Sequence, residues 1–137
     1  MSSKVTKTKA LSYEEMGSFF ENMGMLVRAG ITASEAVELL KDDVKEEAGE
    51  GALADVYAEM TESMQMGSSF EDAMKQAGSF PDYAVDMVGA SEYTGRLEET
   101  LFHLSDYYRT ENSMKNQGPI NHSSHGSKKH QLLQYLP

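Results

Sequence analysis

The stretch LVRAGITASEAVELL, residues 26–40, holds the two signals that decide the fold. An apolar helical run stops at Gly30, and Thr32 with Glu35 at once supplies the pattern that opens another helix. Glycine takes the left-handed conformation at a helix C-terminus without a Cβ penalty. The threonine oxygen accepts from the free amide at the third helical position. Ala36, Val37, Leu40 and Val44 then continue at helical spacing. The unit is helix, glycine, helix, the tight corner between two antiparallel helices.

The same unit returns. Gly30, Thr32, Glu35, Ala36 and Val37 match Gly67, Ser69, Asp72, Ala73 and Met74 at a constant offset of 37 residues, and Gly95 followed by Leu101 is a looser third echo. Convergence on one hairpin solution explains this spacing as well as duplication does. The first helix opens on a capping box at Ser12 and Glu15, and its stripe is Tyr13, Met16, Phe20, Met23 and Val27, widened by Phe19 and Leu26. A third helix carries Leu53, Val56, Tyr57, Met60 and Met64. A fourth carries Phe70, Ala73, Met74 and Ala77 and closes at Gly78. Pro81 suits the first turn of a fifth, with Ala84, Met87, Val88 and Ser91 inward. A sixth follows Gly95 with Leu97, Leu101, Leu104 and Tyr108. The expected architecture is all-α, a six-helix bundle built from three helical hairpins over residues 12–117. Residues 1–11 read as a basic flexible leader, and residues 118–137 as a disordered or artificially appended tail.

Composition narrows the function. The chain has 137 residues, 22 Asp plus Glu against 12 Lys plus Arg, and a formal charge of -10; every acid lies between Glu14 and Glu111, so the helical part is more acidic than the total. Such a field repels the phosphates of nucleic acid and anionic lipid and attracts a basic partner surface. Without cysteine there is neither a disulfide framework nor a thiolate zinc site. Charged or polar residues interrupt every apolar run well short of the roughly 20 residues a membrane helix needs.

Candidate chemistry is sparse. Glu99 and His103 share a helix face, but di-iron bundles need Glu and His three apart, twice, plus two facing glutamates. The acids Asp42, Asp43, Glu46, Glu47 and Glu50 lack the alternating order of a calcium loop and read first as a solvated face, on a segment taken as a frayed helix end and loop. No catalytic residue, metal ligand or cofactor is assigned. Most methionines fall on the stripes, whereas Met25, Met66 and Phe102 fall off them and suggest an exposed apolar patch for dimerisation. Arg28 suits the last turn of its helix; Glu92 opposes the dipole there and therefore needs a partner, either an amide at the Gly95 corner or the guanidinium of Arg28 or Arg96.

LVRAGI at 26–31, GSSFEDAM at 67–74, FPDY at 80–83 and SEYTGRLEETL at 91–101 running into SDYY at 105–108 together resemble the cytoplasmic domain of the inner-membrane platform protein of type II secretion and type IV pilus assembly systems. The signature positions are then Arg28, Gly30, Gly67, Pro81, Glu92, Gly95 and Leu97; Ser91 stands where the family usually has glycine, and Phe70 near where it has leucine. The resemblance covers about residues 13–115 and implies a six-helix, non-enzymatic scaffold on the cytoplasmic face of the bacterial inner membrane. It implies contact with the assembly ATPase and other inner-membrane components, self-association, and membrane spans beyond this chain. A soluble piece excised from such a protein is the expectation. A stand-alone helical adaptor unrelated to secretion is the alternative, and a metal-dependent helical enzyme a distant third. For partner binding the candidates are Asp42, Asp43, Glu46, Glu47, Met25, Met66 and Phe102.

Overall fold

The computed structural model of the chain describes residues 10–46 and 51–117. They form six α-helices and, among the described residues, no strand: α1 (Tyr13–Arg28), α2 (Ala33–Glu46), α3 (Ala52–Gln65), α4 (Phe70–Ala77), α5 (Asp82–Thr94) and α6 (Leu97–Gln117). The expected leader, apart from its last two residues, and the expected tail lie outside the described residues.

Local chemistry accounts for the boundaries. Ser12 and Glu15 form both halves of the capping box of α1: the Glu15 amide donates to Ser12 Oγ at 3.0 Å and the Ser12 amide to Glu15 Oε1 at 2.8 Å. Leu11 and Met16 occupy the two positions of a hydrophobic staple and both are buried, so Leu11, grouped with the leader in the sequence, joins the core. At the far end of α1 the Gly30 amide donates to the Val27 carbonyl (2.9 Å) and the Ile31 amide to Leu26 (3.0 Å). This is the Schellman arrangement, and it requires the φ of 95° that Gly30 adopts. After α3 the same pair of bonds runs from Gly67 to Met64 and from Ser68 to Ser63, 37 residues on. After α5 Arg96 donates to Ser91 around Gly95 at 3.0 Å. The repeat therefore extends to individual backbone hydrogen bonds.

One boundary differs from expectation. Pro81 is the N-cap of α5 rather than a residue of its first turn; it is extended, and its carbonyl accepts from Ala84 and Val85. The segment after Leu40 remains helical through Glu46, which puts Asp42 and Asp43 on the helix end, as the Val44 stripe position anticipated. Without an apolar period, those turns still continue a helix already nucleated by the buried Ala36, Val37 and Leu40.

Each helix packs against its neighbours in sequence, and α6 returns against α1 in the most extensive pairing, closing the bundle into a ring. The α1–α6 pair is antiparallel: Tyr13 stacks near Tyr108, Glu21 meets Arg109, and Arg28 meets Glu98. Gly17 and Gly24, two turns apart on α1, let α6 approach closely. A Cβ at Gly17 would meet the Arg109 side chain, and one at Gly24 the Phe102 ring. The buried Ser105 hydroxyl donates to the Gly17 carbonyl at 2.9 Å across this seam. At the centre Phe19 contacts Phe20, Tyr57, Phe70 and Phe80, with centroids 4.9–6.3 Å apart, and Met23, Met60, Met74, Leu101 and Leu104 fill the remainder.

Long-range bonds fix the ends of the bundle. The Leu11 amide donates to Ser79, which puts the α4–α5 connection beside the start of α1. Arg28 reaching Glu98 puts the Gly30 and Gly95 corners together at the opposite end.

Candidate functional site

The sequence singled out Glu92 because its charge opposes the dipole of its own helix, and the structure supplies the partner. Its two carboxylate oxygens accept from the Phe70 amide (3.0 Å) and the Glu71 amide (3.1 Å), the first amides of α4. Glu92 thus caps a different helix, at the Gly67 corner; neither the Gly95 amide nor an arginine is its partner. Arg28 pairs instead with Glu98 at 3.1 Å and Arg96 with Glu99 at 3.0 Å. The physical sense is direct: an anion at a helix N-terminus meets free N–H groups and the positive end of the dipole. Ser69 Oγ accepts from Asp72 at 3.0 Å, so side chains satisfy three successive amides of an eight-residue helix. Gly89, one turn before Glu92, leaves room for the Glu71 carboxylate, which a Cβ there would strike. This clamp gathers the Gly67 corner with the other two, so all three glycine corners share one end of the bundle.

The remaining signature residues are architectural in place. Leu97 opens α6 and packs, partly buried, against the core. Arg28 also lies over the Phe102 ring, 4.4 Å from its centroid. Phe102 lies against Gly24 and under Arg28 and is only partly exposed, less so than Met25 and Met66. The glycines seven apart within one helix were the available signal of that packing. Met25 and Met66 are exposed, at 52% and 82%, and Leu39 joins them at 50%. Asp42 and Asp43 are exposed on α2; Glu46 is its last residue, and Glu47 lies outside the described residues.

A second surface was not anticipated. Tyr83 at the start of α5 and Tyr107 on α6 have ring centroids 5.2 Å apart, Tyr107 meets Tyr108 edge-on at 4.9 Å, and Tyr108 stacks on Phe20 and Tyr13. His103 Nε2 stands 3.3 Å from the Tyr83 hydroxyl, while Glu99, its helix-face neighbour, is engaged with Arg96. Among the described residues no group of three or more acidic or histidine side chains is placed to hold a metal ion. Burial, reinforced by the neighbouring Tyr107, Tyr83 and Tyr13 and by Glu111, pushes the Tyr108 phenol up to about 12. It therefore serves the core as a neutral ring.

Caps, corners and a glutamate clamp define an all-helical bundle held together at its helix ends. The chain belongs to the family of the type II secretion system protein F, whose model matches residues 19–118. No similar sequence was found among curated proteins. Membership sets aside the reading as an adaptor unrelated to secretion. Among the described residues no helix is long and apolar enough to cross a membrane.

Proposed function

We propose that this domain is a non-enzymatic scaffold of a type II secretion or type IV pilus assembly machine, lying on the cytoplasmic face of the inner membrane and contacting the assembly ATPase. The observation that carries the reading is the family match over residues 19–118 on a bundle whose signature residues, Glu92 and the three glycine corners, are spent on architecture. In this reading residues 12–117 act as one unit of three glycine-cornered hairpins, α1–α2, α3–α4 and α5–α6. Binding falls to the exposed surface: the acidic end of α2 at Asp42 and Asp43, with Glu46 and Glu47 following in sequence, suits a basic face of the ATPase. The exposed Met25 and Met66 suit self-association.

The test is a pull-down of the full chain against the cognate assembly ATPase, with the charges from Asp42 to Glu50 reversed in a parallel sample. Capture that is lost on reversal is the expected result. Capture that ignores the reversals moves the interface elsewhere, and no capture by the unaltered chain removes the ATPase as a direct partner. Sedimentation over a range of concentrations tests self-association: a mass fixed at the monomer value excludes it.

A further inference from the structure

The bundle shows how it holds an arginine, and it presents similar chemistry again with no arginine in place. On α6, Glu98 and Phe102 stand four residues apart; the carboxylate bonds Arg28 Nε at 3.1 Å and the ring lies under its guanidinium, 4.4 Å from the centroid. The planar cation is attracted by the face of the ring and bonded at its edge by the acid. Tyr107 and Glu111 also stand four apart on α6, on the strip that carries His103, and Tyr83 of α5 lies against Tyr107. Asp86 follows Tyr83 by one turn and is exposed. The two tyrosines are 43% and 40% exposed. Among the described residues no ion pair engages Asp86 or Glu111, and the chain's three arginines are already held by Glu98, Glu99 and Glu21.

We propose that the Tyr83–Tyr107 face, flanked by Asp86 and Glu111, is a docking site for an arginine-bearing segment of a partner protein. Charge selects the class of occupant, since the flanking carboxylates repel an anion and attract a cation. The rings select arginine over lysine, because a guanidinium stacks flat on an aromatic face and is more weakly hydrated than an ammonium. The surface is separate from the acidic end of α2, and the inference does not depend on the ATPase being the partner.

The experiment titrates the isotope-labelled full chain with a peptide of alternating arginine and glycine, followed by amide chemical shifts. The lysine–glycine and citrulline–glycine peptides run alongside. Saturable shifts centred on Tyr83, Asp86, His103 and Tyr107 are expected, with the arginine peptide binding best and the citrulline peptide showing no saturation. Tyr107→Ala should weaken binding by about fivefold, the size of one exposed cation–π contact; Tyr107→Phe should keep it, and Asp42→Asn with Asp43→Asn should leave it unchanged. If Tyr107→Ala disturbs the fold, Asp86→Asn with Glu111→Gln, which keeps both rings, must give the weakening. Shifts spread evenly over the acidic helices, equal response to the α2 and tyrosine-face variants, or no saturation overturn the proposal. Shifts at these residues that track protein concentration without peptide assign the face to a second copy and overturn it as well.

Discussion

Removing the Glu92 carboxylate should loosen α4 before anything else. In Glu92→Ala the Phe70 and Glu71 amides lose bonds of 3.0 and 3.1 Å. A hydrogen bond to a charged group contributes about 1.5–3 kcal/mol, and the lower end applies because the Glu71 amide can be rehydrated. The favourable charge at the α4 N-terminus adds about 0.3–1 kcal/mol, which relief of the unfavourable charge in the last turn of α5 offsets. We expect a loss of about 2 kcal/mol for Glu92→Ala, and about 1 kcal/mol for Glu92→Gln, which keeps one acceptor oxygen. For a domain of this size each kcal/mol lowers the melting temperature by about 4 °C or more. Urea unfolding followed by circular dichroism gives the free energy, and amide exchange should quicken first at Phe70 and Glu71. Ser69→Ala, which removes the other cap of the same helix, should cost about 1 kcal/mol. Since both caps act on one short helix, the double variant should lose a sum that departs from additivity by about 0.5 kcal/mol or more. A melting temperature unchanged in Glu92→Ala, with exchange at Phe70 and Glu71 also unchanged, would refute the clamp.

Three further outcomes follow from the same geometry. Alanine at Gly30, Gly67 or Gly95 meets open space but a φ of 95°, 104° or 78°, so each should destabilise by about 1–2 kcal/mol through backbone strain alone, read as a shifted urea midpoint. The Tyr108 phenol holds its proton to about 12 in the folded chain. An unfolded tyrosine releases it near pH 10, so stability is complete below pH 10 and falls by at most about 3 kcal/mol as pH rises toward 12. Tyr108→Phe should remove that component of the alkaline loss in unfolding curves taken at both pH values. Ser105→Ala strips the buried Gly17 carbonyl of a 2.9 Å bond and should cost about 1–2 kcal/mol by calorimetry, with Ser105→Thr no substitute in so close a seam.

What the sequence made legible was whatever depends on neighbours along the chain. Caps at Ser12, Thr32 and Ser69, the glycine corners and the apolar stripes are set by residues three to five apart, and they stand where the pattern put them. Pro81 slipped by one position because an extended proline can serve as a cap as readily as a first helical residue. Glu92 was correctly read as needing a partner, but its partner lies 22 residues away on a helix whose placement depends on the whole bundle. The contact of Phe102 with Gly24 was not legible, because one helix's stripe says nothing of a groove opened by glycine in another. The Tyr83–Tyr107 face was unreadable for the same reason: its two halves meet only when α5 and α6 pack.

The closure of α6 onto α1 also fixes how the domain answers to tension. Residue 12 and residue 117 leave the bundle at the same end, so a pull applied between them peels the two helices apart like a zipper. The rungs at Tyr13–Tyr108, Glu21–Arg109 and Arg28–Glu98 would yield in turn rather than resist together. Load introduced through the glycine-corner end instead meets helices already joined there by Arg28–Glu98 and by the Glu92 bonds to Phe70 and Glu71, which makes that end the stiff handle of the domain and the terminal end its compliant one.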